Sequence, residues 1–315
     1  MTPILDIIVV NWNAGAALRD CLTSVIDAKH PTFTLGRVVV VDNASSDGSA
    51  KNLSDLALPL KIIENRENRG FAAACNQGAA SSTADFLLFL NPDTHLFQGT
   101  LSKSVAFMNN TQNASFGILG VQMVGDAGTI SRSCARFFKV HHFFNRMMGL
   151  HVLSPRLFQD GLMVEWDHLQ SRAVDHVIGA YFFVRNRVFK QLAGFDERFF
   201  VYLEDIDFSL RAKHAGWSTY FLADAQCYHR GGGTSEQIKP RRLYYSLQSR
   251  LLYGFKHLGF VWGGVLLFGT LVVEPFSRIC QSLICASVVR ASDTLKGYWL
   301  LWQAIPEILR AARNK

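Results

Sequence analysis

Residues 4–10 read ILDIIVV, and this continuous apolar run decides the fold class. An uninterrupted run, unlike an alternating one, is typical of a strand buried on both faces of a parallel sheet. Similar runs occur at residues 38–41 and 86–90, and segments with helical spacing lie between them at 17–26 and 71–80. The order predicts an α/β fold with a mostly parallel, doubly wound sheet flanked by helices, and a ligand site at the carboxyl ends of the strands.

The length and composition of the chain are sufficient for a large packed core. The 315 residues are 49% hydrophobic and 18% charged, which argues against disorder. Six cysteines without CxxC spacing are typical of reduced thiols in a cytoplasmic protein. The N-terminus has no basic segment before its apolar run, so a signal peptide is not expected.

Positive charge is concentrated near the C-terminus. Residues 230–315 hold 12 Lys/Arg against 4 Asp/Glu, whereas residues 1–229 hold 20 against 21. The apolar run at 260–273 is shorter than the roughly 20 residues that span a bilayer, and Glu274 and Pro275 are expected to end it. A basic, apolar and aromatic segment favours contact with an anionic membrane surface over nucleic acid, with a pair of buried helices as the alternative. We therefore predict one domain over 1–235 and a helical, membrane-associated segment over 236–315.

An acidic cluster lies among aromatic residues within positions 194–217. Glu204, Asp205 and Asp207 fall within four positions of one another, on a segment predicted to be a helix that ends at Gly216. Carboxylates among aromatic side chains lose hydration, and such groups either pair with a cation or act as a base. Asp207 is expected to cap the helix or to pair with Arg211 at i+4.

Polar residues also follow the predicted strands. Asp42 and Asp93 each end or follow an apolar run, and His229 precedes a triglycine. Singly, these are ordinary turn carboxylates and a loop histidine. Together, a carboxylate and an imidazole suit Mg²⁺ or Mn²⁺, which neutralises a diphosphate leaving group, and glycines let the backbone approach that diphosphate. Asp42 can accept a hydrogen bond from N3–H of uracil or thymine, and neither a GxGxxG nor a P-loop motif is present.

Six motifs occur in a fixed order: VVNWN (9–13), VVDNASSDGS (40–49), NRGFAAACNQG (68–78), FLNPDT (89–94), a long segment over 179–217, and HRGGGTS (229–235). In these motifs the chain resembles the bacterial family 2 glycosyltransferases with the GT-A fold, and most closely their rhamnosyltransferase-like branch. The resemblance covers residues 4 to 257.

The resemblance implies roles for four residues. Asp93 is the metal-binding member of a degenerate DxD element, Asp42 a base-recognition residue, Asp205 the catalytic base and His229 a further metal or diphosphate contact. One departure stands out: Arg230 replaces a second histidine, which substitutes a charged phosphate contact for an imidazole. Asn91 is common at the first position of the DxD element in this branch, and it leaves that element with one carboxylate.

The complete set of predicted contacts follows from these motifs and from the basic tail. Donor contacts are Asn11, Asp42, Arg69, Gly70, Asn91 and Asp93, and acceptor or diphosphate contacts are Gly179, Ala180, Arg230 and Arg250. Gly179 interrupts a predicted strand, where backbone approaches a ligand closely. The catalytic residues are Asp205, with Glu204 as the second candidate, and the cofactor is one divalent cation, Mg²⁺ or Mn²⁺.

The predicted function is an inverting glycosyltransferase at the inner face of the cell membrane. A carboxylate deprotonates the acceptor hydroxyl while it attacks the anomeric carbon of a nucleotide-diphospho-sugar. By resemblance alone the donor is dTDP-rhamnose, with UDP- and GDP-sugars open, and the acceptor is a polyprenyl-diphosphate-linked saccharide in cell-surface polysaccharide synthesis. The alternative is a non-catalytic nucleotide-sugar-binding or scaffold protein. A nucleotidyltransferase would need a basic, Gly-rich loop near the N-terminus, which this chain lacks.

Overall fold

The computed structural model describes residues 2–28, 32–229, 231, 238–284 and 287–313. The chain divides into two compact units, the first formed by residues 1–136, 166–197 and 204–234 and the second by 137–165, 198–203 and 235–315. The predicted boundary at 235 coincides with the start of the last segment of the second unit. Two earlier segments of the chain also belong to that unit.

The strands all belong to the first unit. They are β1 (Ile4–Asn11), β2 (Thr34–Asp42), β3 (Leu60–Glu64), β4 (Phe86–Leu90), β5 (Thr94–Leu96), β6 (Phe116–Val124), β7 (Cys134–Ala135), β8 (Arg172–Val174), β9 (His176–Val177), β10 (Tyr181–Arg185) and β11 (Ser218–His229). Among the described residues the main sheet has the order β3-β2-β1-β4-β10-β6-β11-β5, with β8 paired to β11, and β7 and β9 form a separate pair.

The helices are distributed over both units. They are α1 (Ala16–Asp27), α2 (Phe71–Ala79), α3 (Thr100–Asn109), α4 (Val140–Met147), α5 (Leu150–Leu153), α6 (Asn186–Gln191), α7 (Glu204–His214), α8 (Lys239–Tyr253), α9 (Phe260–Phe268), α10 (Glu274–Ile284) and α11 (Val288–Arg313). In the first unit, α1 to α3 connect successive strands as in a doubly wound sheet. The predicted helix at the acidic cluster is α7, which Gly216 follows at φ 88°.

The predicted α/β fold is confirmed, and the sheet has a parallel half and a mixed half. Strands β3, β2, β1 and β4 are parallel, and β1, β2 and β4 are the apolar runs that predicted them. Beyond β4, β10 runs antiparallel to both β4 and β6. The sheet is mixed because β10 does not follow β4 through a helical crossover. The chain enters β10 from β9, after the long segment that follows β6.

Two local predictions were wrong. The segment 226–233, which ends in the triglycine, predicts a loop, but β11 continues to His229 because residues 226–229 pair with β6 and β5. Glu274 and Pro275 were expected to end the apolar helix of the second unit. Instead a π turn at Gly269–Val273 leads directly into α10. A π turn already interrupts the regular hydrogen bonding, so the missing N–H of proline falls where the helix tolerates it.

The second unit is mainly helical and contains a buried ion cluster. Arg250 donates to Glu274, and Arg278 donates to the same carboxylate from Nη2 at 2.8 Å. The helical stretch Phe260–Ser282, 23 residues long, satisfies the length and composition of a membrane-crossing helix.

Candidate active site

The first part of the site lies at the carboxyl ends of β1 and β2. Parallel pairing places Asn11 opposite Asp42, and the buried Asn11 Nδ2 donates to Asp42 Oδ1 at 2.7 Å. The same amide is 3.0 Å from Ser45 Oγ and 2.8 Å from Ser49 Oγ. Asp42 Oδ2 accepts the Ser45 N–H at 3.2 Å. Each carboxylate oxygen retains a second lone pair, so a hydrogen bond from a nucleobase stays a prediction for Asp42.

A second carboxylate, that of Asp47, stabilises the loop after β2. Sequence reasoning did not single it out. Asp47 accepts the Gly15 N–H at 2.8 Å and both the N–H and the hydroxyl of Ser49, at 2.9 and 2.6 Å. Burial opposes ionisation, but the hydrogen bonds from Ser49 and Gly15 lower the pKa of Asp47. The run of Asp, Asn and Ser at 42–49, typical of side-chain-to-backbone turns, was the available signal.

Gly70 and Arg69 lie beside this loop. The side chain of Asn43 donates to the Gly70 carbonyl oxygen at 3.0 Å, and Asn68 Oδ1 accepts the Gly70 N–H at 2.9 Å. Gly70 has φ 86°, a value that favours glycine, immediately before α2. Arg69 is exposed. The predicted donor-binding residues of the first three motifs therefore meet at one end of the parallel strands.

Asp93 and His229 are brought together by antiparallel pairing of β5 with β11. His229 is opposite Thr94, and its Nε2 lies 3.5 Å from Asp93 Oδ1. Asn91 orders the intervening turn, since its carbonyl oxygen accepts the Thr94 hydroxyl at 2.7 Å. The Asp93 and His229 side chains are 18% and 15% exposed, so both remain accessible.

These two side chains fit a divalent cation. A carboxylate oxygen and an imidazole nitrogen 3.5 Å apart can both ligate one ion, and both ligand types suit Mn²⁺. Within the described part of the chain, no group of three His, Cys, Asp or Glu residues forms a complete metal site. The remaining ligands would be diphosphate oxygens and water, as is usual for Mg²⁺.

Asp205 lies in the first turn of α7 and is held by several donors. Oδ2 accepts the Gly179 N–H at 2.8 Å and lies 3.5 Å from His176 Nε2, and Oδ1 accepts the Ile206 N–H at 2.8 Å. Burial alone would raise the pKa of Asp205, but the nearby His176 and these hydrogen bonds lower it below its ordinary value. The side chain is 16% exposed, so the ionised carboxylate is partly accessible.

Gly179 and Ala180 connect the two carboxylates. A Cβ on Gly179 would lie 2.9 Å from Asp205 Oδ2, so only glycine allows this approach of the backbone. Next to it, the Ala180 carbonyl oxygen accepts the Asn91 N–H at 3.0 Å. The start of β10 therefore fixes both the turn that carries Asp93 and the carboxylate of Asp205. Their predicted contacts with the acceptor stay predictions.

The two other carboxylates of the acidic cluster have different environments. Glu204 is 5% exposed, and burial together with the charge of Asp205 raises its pKa well above the usual range. It is therefore the protonated neighbour of an ionised aspartate. Asp207 is fully buried and accepts from Arg211 Nε at 2.8 Å, which confirms the predicted i,i+4 pair.

The two arginines predicted to contact phosphate are Arg230 and Arg250. Arg230 lies outside the described residues. Arg250 is 4% exposed and bound to Glu274 within the second unit, so its position gives no support to the predicted diphosphate contact. No sequence signal indicated its partner, which lies 24 residues away.

Comparison with known proteins identifies relatives of this chain. The model described as "Glycosyl transferase family 2" matches residues 6–159, and that described as "Glycosyl transferase family group 2" matches residues 86–305. The N-acetylglucosaminyl-diphospho-decaprenol L-rhamnosyltransferase of Mycobacterium tuberculosis is 25% identical over 245 residues, which cover 73% of this chain and 76% of that protein.

Solved structures share the fold. S. aureus TarS in complex with UDP-GlcNAc superposes with a TM-score of 0.54 at 19% identity, over 98% of this chain and 81% of that one. The mannosyltransferase PcManGT from Pyrobaculum calidifontis, in complex with GDP-Man and Mn²⁺, gives a TM-score of 0.53 at 18% identity, over 99% and 86% of the two chains. With one family model covering more than half of the sequence, the chain belongs to the family 2 glycosyltransferases and has their GT-A-like fold.

Proposed function

We propose that this glycosyltransferase inverts the anomeric centre of a nucleotide-diphospho-sugar in a single displacement, with Asp205 as the general base. The observation that carries the proposal is the state of the Asp205 carboxylate, which accepts two backbone N–H groups, lies beside His176 and has a lowered pKa. An ionised, partly accessible carboxylate is ready to take the proton of an acceptor hydroxyl as that oxygen attacks the anomeric carbon. Glu204, which retains its proton, is less suited to that step.

A divalent cation, Mg²⁺ or Mn²⁺, is the proposed cofactor, held by Asp93 and His229. When bound there it would neutralise the charge that develops on the leaving diphosphate. The donor set fits such an ion, and the fold neighbour PcManGT was solved with GDP-Man and Mn²⁺. Asn11, Asp42 and Gly70 lie at the neighbouring strand ends, and their proposed role is to contact the nucleotide.

The proposed donor is dTDP-rhamnose, and the proposed acceptor is a saccharide linked to a polyprenyl diphosphate, within cell-surface polysaccharide synthesis. The support is the mycobacterial relative, which is an N-acetylglucosaminyl-diphospho-decaprenol L-rhamnosyltransferase. Uridine and guanosine diphospho-sugars are the competing donors.

The proposed location is the cytoplasmic face of the cell membrane, contacted by the second unit. On α11, Leu295, Trp299 and Trp302 share one exposed face, and Gly297, Tyr298 and Leu301 are buried on the other. Along the π turn and the helices on either side of it, Phe268, Val272 and Phe276 recur every four residues and are also exposed. Exposed tryptophan and phenylalanine next to lysine and arginine are typical of a helix lying in the headgroup layer. The buried Glu274 cluster favours this arrangement over a simple bilayer crossing.

A donor screen tests the catalytic proposal. Purified full-length protein is incubated with dTDP-rhamnose, UDP-GlcNAc or GDP-mannose, with Mg²⁺, Mn²⁺ or EDTA, and with a polyprenyl-diphosphate-linked N-acetylglucosamine. The expected result is metal-dependent release of dTDP from dTDP-rhamnose and a rhamnosylated lipid product. Binding of donors without release from any of them would favour the nucleotide-sugar-binding protein.

Vesicle flotation tests the membrane proposal separately. Wild type should float with vesicles containing phosphatidylglycerol, and Trp299→Gln/Trp302→Gln should float at least 5-fold less. The matched control Trp217→Gln alters a tryptophan of the first unit. Equal flotation of all three proteins would exclude the α11 face as the membrane contact.

A further inference from the structure

A buried histidine lies against the proposed base. His176 is on β9, is 6% exposed and packs against α7. Its ring has one polar neighbour on each side: Nε2 is 3.5 Å from Asp205 Oδ2, and Nδ1 is 3.0 Å from Ser209 Oγ. Both neighbours belong to α7, one turn apart, so the ring spans the first turn of that helix.

The hydrogen-bond network indicates what each ring nitrogen does. Ser209 Oγ lies 3.0 Å from both His176 Nδ1 and the Asp205 carbonyl oxygen, so its hydroxyl can rotate to donate to either one. Nδ1 can therefore accept from Ser209 or donate to it. The Asp205 carboxylate only accepts, so the ring donates to Oδ2 when Nε2 carries a proton.

We propose that His176 is a positioning residue for Asp205: its ring, held at Nδ1 by Ser209, directs Nε2–H at Oδ2 and fixes the orientation of the carboxylate. The catalytic part of the inference rests on the proposed role of Asp205 as base. Three donors then converge on one side chain, namely the Gly179 and Ile206 N–H groups and the His176 ring.

Other ionisable groups near His176 are paired, neutral or directed elsewhere. On α7, Asp207 is bound to Arg211 and burial raises the pKa of Glu204, which keeps Glu204 protonated. Next to His176, Asp175 pairs with Lys213 at 2.9 Å. On β7, burial raises the pKa of Cys134 to about 12.

Strand β11 also packs against β9. Its ionisable side chains are Tyr220, stacked on Phe107; Asp224, which is exposed; Cys227, whose pKa is raised by burial; Tyr228, bonded to Asp126; and His229, beside Asp93. Asp205 is therefore the carboxylate that faces the His176 ring.

The first arm of the test reads the protonated ring nitrogen directly and needs no substrate. In full-length protein labelled with ¹⁵N-histidine, the His176 ring signals are assigned by their loss in His176→Asn. In wild type Nε2 should carry a proton, and its signal should shift in Asp205→Asn. A His176 ring whose Nε2 carries no proton in wild type overturns the proposal, whatever the catalytic results.

The second arm measures transfer from dTDP-rhamnose. His176→Asn should lower kcat at least 10-fold and change the donor KM less than 2-fold, and His176→Gln, which retains a neutral donor, should lower kcat less. Without the His176 ring the pKa of Asp205 rises, so the acid limb of kcat/KM should move to higher pH. Asp175→Asn is the matched control, and its kcat and acid limb should equal those of wild type.

The two arms separate failure of this inference from failure of the proposed function. If Asp205→Asn abolishes transfer while His176→Asn retains full kcat and an unshifted acid limb, the base assignment stands and the role of His176 is excluded. If Nε2 of His176 carries a proton but Asp205→Asn retains transfer, the base assignment is excluded, and the inference is overturned in its catalytic part. If His176→Asn fails to fold, His176→Gln and the wild-type ring signals decide.

Discussion

The first unit contains two aspartate–histidine pairs with the same separation and different surroundings. Asp93 Oδ1 and His229 Nε2 are 3.5 Å apart, as are Asp205 Oδ2 and His176 Nε2. In the Asp205 pair, backbone N–H groups and Ser209 complete the hydrogen bonding. In the described part of the chain, the Asp93 carboxylate has no comparable set of donors. We call the Asp205–His176 pair closed and the Asp93–His229 pair open. The closed pair favours one ionised, oriented carboxylate, whereas the open pair is available to a cation and a diphosphate.

Removing the charge of the closed pair should have the largest effect. Asp205→Asn keeps the shape but removes the proton acceptor, so kcat for rhamnosyl transfer should fall about 10³-fold. Binding of dTDP, measured by calorimetry, should change less than about 3-fold, since the nucleotide contacts lie elsewhere. Asp175→Asn, at a half-buried carboxylate of the same unit that pairs with Lys213, serves as the control. Transfer at the wild-type rate would exclude Asp205 as the base.

The open pair should respond through the cation. Asp93→Asn should reduce kcat/KM for the donor about 10²-fold and raise the Mn²⁺ concentration needed for half-maximal activity, because a neutral amide binds a divalent cation less well than a carboxylate. A metal titration of activity measures both effects. Asp55→Asn, at an exposed ion pair with Arg19, is the control. An unchanged metal requirement would show that Asp93 does not bind the ion.

A smaller effect is expected from disturbing the backbone that links the pairs. In Gly179→Ala the new Cβ would meet Asp205 Oδ2 at 2.9 Å and displace the carboxylate. We expect kcat to fall about 10-fold, a size typical of misplaced rather than missing catalytic groups. Steady-state kinetics with saturating donor measures it. Gly264→Ala, where an added Cβ meets nothing within 4 Å, should be neutral; equal rates in both variants would contradict the close approach.

The smallest effect on activity is expected at Glu204. Its raised pKa means that the folded protein holds this proton while the unfolded chain releases it above about pH 4.3. Wild type therefore loses stability relative to Glu204→Gln as pH rises from there until the folded group ionises, by up to about 1.4 kcal/mol per pH unit. Urea unfolding at pH 5, 6 and 7 measures the difference. A pH-independent difference, or a loss of transfer equal to that of Asp205→Asn, would contradict these roles.

Much of the fold was predictable because its strongest signals are local. The apolar runs in β1, β2 and β4 are buried on both faces, so each of them marks a strand with little ambiguity. Pairing with β10 and β11 depends on residues far away in the chain. The extension of β11 to His229 and the antiparallel insertion of β10 were therefore not predictable from local pattern.

The sequence by itself determined the fold class, the family motifs and the acidic residues from which the site is built. Tertiary structure decided the protonation state of the carboxylates among them. Glu204 and Asp205 are adjacent carboxylates in sequence, yet burial keeps the proton on one, and His176, Gly179 and Ile206 remove it from the other. Ionisation depends on solvent access and on charges within a few ångströms, and three-dimensional packing sets both. His176 lies on strand β9, and only the packing of β9 against α7 brings it next to Asp205.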